Sequence, residues 1–184
     1  MRVFIALSGP DLISKKLNLQ VLLSQLPHAH DPCDRHLTLA FLGELSALEV
    51  DGLITQLQGV YESGLLTKIT WEACEIGDFP AQSPKAWALQ GASTQKLDEL
   101  VLRLEQEGVS KAVMDTSFIP HVSLAYLDGP SNLRADFPLT VSFYRLGLYR
   151  SYTVAERALM AASGLWAKPR YQCIHSWDLE YGGN

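Results

Sequence analysis

His36-Leu37-Thr38-Leu39-Ala40-Phe41-Leu42 returns 85 residues later as His121-Val122-Ser123-Leu124-Ala125-Tyr126-Leu127. Four positions are identical, and the other three exchange like for like: Leu for Val, Thr for Ser, Phe for Tyr. Each copy sets a histidine and, two places on, a hydroxyl residue in apolar, strand-like sequence. Strand side chains alternate between faces, so His36 and Thr38 are expected on one face and Leu37, Leu39 and Phe41 on the other. The same alternation puts His121 and Ser123 opposite Val122, Leu124 and Tyr126. Two strands that each bury one face and offer a histidine and a hydroxyl on the other suggest a two-histidine site.

The repeat extends outward from these stretches. Residues 2–7 read as a buried strand. Ser8 offers an N-cap, with Pro10 near the first helical position, and Leu12, Ile13, Leu17, Val21, Leu22 and Leu26 form the stripe of a helix ending before Pro27. After the first histidine strand, Ser46 and Glu49 make a capping-box pattern that opens a helix with Leu53, Leu57 and Val60 on one face. Lys68–Ile76 reads as a strand, 77–84 as a loop and Lys85–Gln90 as a partner strand. Ser93 or Thr94 can cap a helix bearing Leu97, Leu100, Val101 and Leu104, and a loop with Phe118 and Pro120 leads into the second histidine strand. Strand, helix, loop and histidine strand thus occur twice, over about 2–44 and 86–128, with Ile5 and Leu89 matched as first-strand positions. Leu139–Tyr149, Arg157–Ala162 and Tyr171–Glu180 read as further strands, and 163–170 as a loop. The expectation is an α+β fold with pseudo-twofold symmetry, its antiparallel strands covered by helices on the outside.

Composition narrows the function. With 47% hydrophobic and 19% charged residues in 184, the chain has material for a core and does not read as disordered. Its apolar N-terminal run is too short for a signal peptide, and no run reaches the roughly 18 residues of a membrane span, so a soluble, cytoplasmic protein is expected. Cys33, Cys74 and Cys173 share no short spacing and are expected as free thiols packed as small hydrophobes. A net charge of −5 argues against a grip on long duplex nucleic acid. The charge is uneven: residues 1–128 carry 9 basic and 16 acidic side chains, and 129–184 carry 6 and 4. A small anion could therefore be met by Arg134, Arg145, Arg150, Arg157, Lys168 or Arg170, although a solvated basic face is the plainer reading.

The chemistry follows from the residue types. An ordinary histidine titrates near pH ~6.5, so of two neighbouring imidazoles one can take a proton from a nucleophile while the other gives one to a leaving oxygen. That division suits in-line displacement at phosphorus, with Thr38 and Ser123 donating to non-bridging phosphate oxygens. No Asp or Glu stands at ligand spacing beside either motif, so no metal is expected, and the absence of a Gly-rich loop with a following Lys argues against ATP use. His28, His30 and His175 read as loop or strand-face residues.

Residues 36–44 and Phe118-Ile119-Pro120-His121-Val122-Ser123-Leu124 resemble the two HxTx signatures of the 2H phosphoesterase superfamily. Within it, the chain is most similar to the bacterial RNA 2′,3′-cyclic phosphodiesterases, or 2′-5′ RNA ligases. Arg2–Ala6 resembles that family's opening strand, Lys85–Leu89 its mid-chain Trp strand, and Leu146–Ser151 its late strand before a final Tyr and Trp, here Tyr171 and Trp177. The resemblance implies a single domain over 1–184 made of two interleaved lobes with a cleft between them. It implies metal-independent, cofactor-free opening of an RNA 2′,3′-cyclic phosphate to a 2′-phosphate, with reversible 2′-5′ joining as a side activity. RNA with a cyclic phosphate end, such as a tRNA half, would be the partner, and a monomer the working form. His36 would be the proton donor, His121 the acceptor, and Thr38 and Ser123 the phosphate-holding hydroxyls. Lys85 stands displaced from the Arg that relatives place before the Trp, and Phe79, Trp87 and Phe118 are candidates to stack on a base, although core or cleft wall is the plainer reading of each ring. Two alternatives stand beside this reading: a sibling enzyme acting on a small cyclic nucleotide or a 2′-5′ oligonucleotide, and a non-catalytic RNA-end binding module.

Overall fold

The structure, a computed structural model, describes residues 1–14, 16–18, 26, 28–64, 66–109, 118–162 and 170–179. Its strands are β1 (Arg2–Ser8), β2 (His28–Ala29), β3 (Leu37–Glu44), β4 (Ile69–Phe79), β5 (Ala86–Gln90), β6 (His121–Tyr126), β7 (Ala135–Phe143), β8 (Arg145–Ser151) and β9 (Tyr171–Asp178). The helices are α1 (Ala47–Glu62), α2 (Gln95–Gln106) and α3 (Val154–Ala162). The strands lie in the order β7-β4-β5-β6-β3-β1-β8-β9, with β2 added to β6, and every pairing is antiparallel. The fold is therefore α+β, as the repeat implies.

The sheet is two four-stranded halves meeting at β3 and β6, where one residue pair, Leu37 with Val122, joins them. Each half repeats the other. Leu37 pairs with Leu7 of β1, and Val122 pairs with Leu89 of β5. Leu7 thus matches Leu89, which corrects the pairing of Ile5 with Leu89 expected from spacing alone. The chain between first strand and histidine is three residues longer in the second copy.

Hydrophobic burial drives this arrangement. Val3–Leu7 and Ala86–Leu89 are buried without interruption, the signature of central strands covered on both faces. Val50, Leu53, Leu57 and Val60 of α1 and Leu97, Leu100, Val101 and Leu104 of α2 are buried at helical spacing. The α1 capping box is formed, Ser46 Oγ accepting from Glu49 N–H at 3.3 Å and the Glu49 carboxylate from Ser46 N–H at 2.7 Å. Thr94 caps α2. Residues 15 and 19–25 of the first expected helix, Val21 and Leu22 included, lie outside the described residues, and so do Lys168 and most of the expected loop 163–170.

Several expectations need correction. Arg157–Ala162 belongs to helix α3, not a strand, because Thr153 and Glu156 form a second capping box: Thr153 Oγ1 accepts from Glu156 N–H at 3.1 Å, and Glu156 from Thr153 N–H at 2.7 Å. Ser8 ends β1, and Gly9 caps a short 3-10 turn, Pro10–Ile13. Strand β4 runs on through Gly77-Asp78-Phe79, which pair with Ala88, Trp87 and Ala86. Leu139–Tyr149 spans two strands, β7 and β8, on opposite halves of the sheet. The crossing occurs at Tyr144, whose N–H reaches Ser8 O at 3.1 Å. All three cysteines are free, as expected, but exposed rather than packed inside. Among the described residues, no helix is long and apolar enough to cross a membrane.

Candidate active site in the cleft between the two histidine strands

The pair Leu37–Val122 sits at the same position in both copies of the repeat, directly after each histidine. The pseudo-twofold axis therefore passes between these two residues. Both are fully buried, so the alternate positions, His36 and Thr38 on β3 and His121 and Ser123 on β6, emerge on the opposite face. All four line one cavity of about 510 Å³. Antiparallel register about a single pair sets each histidine across from the other strand's hydroxyl, and the two histidines on a diagonal.

The alternation stops there, and this corrects the expected faces. Both strands carry a register shift after the hydroxyl: Thr38 pairs with Ala6 but Ala40 with Ile5, and Ser123 pairs with Ala88 but Ala125 with Trp87. Leu39 and Leu124 are the extra residues of two equivalent β-bulges. Two consecutive residues, Leu39-Ala40 and Leu124-Ala125, are then buried, and the next side chain swings to the cleft. Phe41 and Tyr126, expected in the core, line the cavity instead.

The two imidazoles are held alike. His36 Nδ1 lies 2.7 Å from Asp34 O, and His121 Nδ1 lies 2.9 Å from Ile119 O, each the carbonyl two residues upstream. A carbonyl only accepts, so Nδ1 carries a hydrogen in both rings and Nε2 is the nitrogen free to exchange a proton. Aromatic rings fix each plane. Phe79 stacks on His121 with centroids 3.8 Å apart, while Phe4 stacks on His36 at 4.8 Å and Tyr171 packs edge-on at 5.0 Å. Ala86 takes the place of Phe4 in the second half, and Phe79 supplies the missing ring from β4.

Burial pushes the His36 pKa down to about 4, and a charge on His121 would push it further; burial also lowers that of His121. Both rings are therefore neutral in the open cleft at neutral pH. Behind them, His30 and Asp34 are each 4% exposed. Burial, then Arg170, holds His30 near 3, and burial lifts Asp34 to about 6 despite the Arg170 N–H that reaches both its oxygens at 3.0 and 2.9 Å. Neither ring nitrogen of His30 meets a partner at hydrogen-bond geometry; the Ser123 carbonyl close by favours its protonated form only slightly. His28 pairs with Asp128 at 3.4 Å, and His175 packs on Trp177, both away from the cleft lining.

Of the other expected site residues, Lys85 and Phe79 line the cleft. Trp87 does not: it is 2% exposed in the core, with its indole N–H on Leu133 O at 2.9 Å, because β5 is buried on both faces. Phe118 packs partly buried against the core and is also absent from the lining. Arg2, Phe41, Tyr126 and Ser151 line the cleft without having been singled out. Among the described residues, the cations of the lining are Arg2 and Lys85, and no carboxylate lines it. Arg134, Arg145 and Arg150 are instead paired with Glu75, Asp178 and Glu156. Among the described residues, no three His, Cys, Asp or Glu side chains cluster as metal ligands would.

No protein-family model matches the chain, and no curated protein does. Solved structures do. E. coli LigT complexed with 3′-AMP is 20% identical and aligns over 97% of each chain with a TM-score of 0.70. TT0787 of Thermus thermophilus is 21% identical over 97% of this chain and 98% of its own, with a TM-score of 0.67. A structure described as a phosphoesterase is 21% identical over the same shares, with a TM-score of 0.68. The chain has the fold of these proteins.

Proposed function

We propose that this chain is a 2H phosphoesterase that opens RNA 2′,3′-cyclic phosphate ends to 2′-phosphates by acid–base catalysis between His36 and His121. The observation that carries the reading is the gathering of both histidines and both hydroxyls in one cleft, with each Nδ1 held by a carbonyl. Likeness of fold to LigT, which has been solved with 3′-AMP and with phosphate, supports it. One Nε2 takes a proton from water as its oxygen attacks phosphorus; the bond from phosphorus to the 3′-oxygen breaks, and the other Nε2–H protonates that oxygen. The product is a 2′-phosphomonoester beside a free 3′-hydroxyl. Thr38 and Ser123 donate to the non-bridging oxygens, where charge builds. The acid must be an imidazolium, and burial disfavours that form in the empty cleft. The bound phosphate anion supplies the opposing charge. With the roles implied by the resemblance, His36 is that acid and His121 the base.

The test is turnover of a short RNA bearing a 2′,3′-cyclic phosphate, with EDTA present, beside His36→Ala and His121→Ala. A 2′-phosphate product, with both variants lowered by at least about 10², is expected. An RNA left intact by the wild type rejects the reading.

A second reading has one observation in its favour. With Arg2 and Lys85 as its cations among the described residues, the lining offers little to a long RNA backbone, which favours a small cyclic nucleotide as substrate. Faster turnover of adenosine 2′,3′-cyclic phosphate than of the RNA end would select it.

A further inference from the structure

The cleft repeats its histidines, hydroxyl positions, carbonyl partners and bulges across the pseudo-twofold axis, and one of its asymmetries adds a hydroxyl. Position 41 is phenylalanine, and its equivalent, 126, is tyrosine. The Tyr126 hydroxyl lies 2.7 Å from the hydroxyl of Tyr171, which comes from β9 on the other half of the sheet. Both rings line the cavity that holds His36, Thr38, His121 and Ser123.

A pair of phenols holds two O–H hydrogens, and their mutual bond uses one. Burial raises the pKa of Tyr171, and the neighbouring Tyr126 raises it further, so Tyr171 keeps its hydrogen throughout the working range. Neither hydroxyl has another hydrogen-bond partner among the described residues, so the pair presents one uncommitted donor to the cleft. The guanidinium of Arg170 stands 4.8 Å over the Tyr126 ring, a cation–π contact that packs against the pair from outside. The mount is rigid and tied to the motif histidine. The Asp34 carboxylate holds the Arg170 N–H, the Asp34 carbonyl faces His36 Nδ1, and the Tyr171 ring packs edge-on against His36.

Resting on the reading of the cleft as a phosphodiesterase site, we infer that Tyr126 and Tyr171 form a further substrate-contacting unit, whose single free O–H donates to an oxygen of the phosphate group seated between the histidines. It is a third donor beside Thr38 and Ser123, present on one side of the pseudo-twofold axis only. Tyr126 and Tyr171 act as one group, because each leaves the other's hydrogen bond incomplete when removed.

The experiment is a double-mutant cycle with Tyr126→Phe and Tyr171→Phe, read by kcat/KM on adenosine 2′,3′-cyclic phosphate, by calorimetric binding of sulfate and by melting temperature. Each single variant is expected to lose about 10- to 100-fold in kcat/KM, the worth of a hydrogen bond to a charged group. The double variant is expected to fall no further than the worse single one, and sulfate binding to weaken in parallel. Two results overturn the inference: single variants within about twofold of wild type whose melting temperature alone falls, which leaves a structural tie, or losses that multiply in the double variant. A wild type inert on cyclic phosphates rejects the phosphodiesterase reading instead. Sulfate binding, which needs no turnover, still decides this inference, supporting it if weaker in Tyr126→Phe and overturning it if unchanged.

Discussion

Leu37 and Val122 are paired across the only ladder step that joins β3 to β6, and they occupy one and the same position of the duplicated motif. A twofold axis through that pair leaves little freedom: whatever the first motif puts into the cleft, the second puts opposite it. The cleft's two imidazoles and two hydroxyls follow from a single packing decision, the burial of Leu37 and Val122 on the far face.

The hydroxyls are the first consequence to test. Thr38→Ala and Ser123→Ala should each lower kcat by about 10² to 10³, as removal of one preorganised donor does elsewhere. Ser123→Thr should stay near wild type, because the hydroxyl survives and the first copy already carries threonine at this place. Steady-state kinetics on a cyclic phosphate measures both. An Ala variant at full rate would mean that its hydroxyl does not meet the developing charge.

The duplicated seven residues carried most of the site in their spelling, and the α+β class followed from the strand and helix patterns around them. What the alternation rule could not show was the bulge. Leu39-Ala40 and Leu124-Ala125 look like ordinary alternating pairs, and nothing in their side chains announces that one residue is extra; only the register against Ala6 and Ala88 reveals it. Alternation alone therefore places Phe41 and Tyr126 on the wrong face. Trp87 stays open between core and cleft for a different reason. A strand buried on both sides has no polar face to read, so an aromatic residue there looks equally suited to core or cleft. Helix α3 is legible in the sequence, since Thr153-Val154-Ala155-Glu156 spells a capping box. Tyr171 could be found as a resembling family tyrosine, but its contact with Tyr126 joins residues 45 apart and needs the folded chain.

Phe79 and Trp87 should now separate cleanly. Trp87→Phe removes a buried indole and its bond to Leu133 O, so it should cost stability, about 1–3 kcal/mol, and leave KM and kcat nearly unchanged. Phe79→Ala removes the ring stacked on His121, so it should lower kcat by tenfold or thereabouts through a less ordered imidazole, on the order of 1.4 kcal/mol. Chemical denaturation and initial rates on the same preparations make the comparison. A Trp87→Phe enzyme with raised KM and intact stability would return Trp87 to the cleft.

Salt should affect this protein weakly. Among the described residues Arg2 and Lys85 are the cations of the lining, so single-stranded RNA should be gripped through about two phosphates, for a slope of log K against log salt of about −1.4. Fluorescence anisotropy of a labelled oligonucleotide across a salt series reads this directly. A slope several times steeper would place basic groups outside the cleft in the interface.

Proton linkage gives the last prediction. His36 titrates near 4 in the fold against an ordinary 6.5, so between those values the unfolded chain binds more protons than the folded one, and stability is lost as pH falls through the window. His30, held near 3, and His121, also lowered, act in the same direction. Asp34 acts in the other: raised from 3.8 to about 6, it keeps a proton in the fold that the unfolded carboxyl gives up, and stabilises on acidification. Three histidines against one carboxyl leave a net loss of stability from pH ~6.5 down to ~4. His36→Asn should flatten that slope by up to about 1.4 kcal/mol per pH unit, the weight of one proton. The same shift makes anion binding take up a proton, since an anion between the rings favours the imidazolium that burial disfavours. Sulfate, which does not titrate in this range, should therefore bind near pH 7 with heats that depend on the ionisation enthalpy of the buffer, and His36→Asn should lose part of that dependence. Identical heats in buffers of different ionisation enthalpy would mean that both rings stay neutral around the anion, and that neither is ready to serve as the acid.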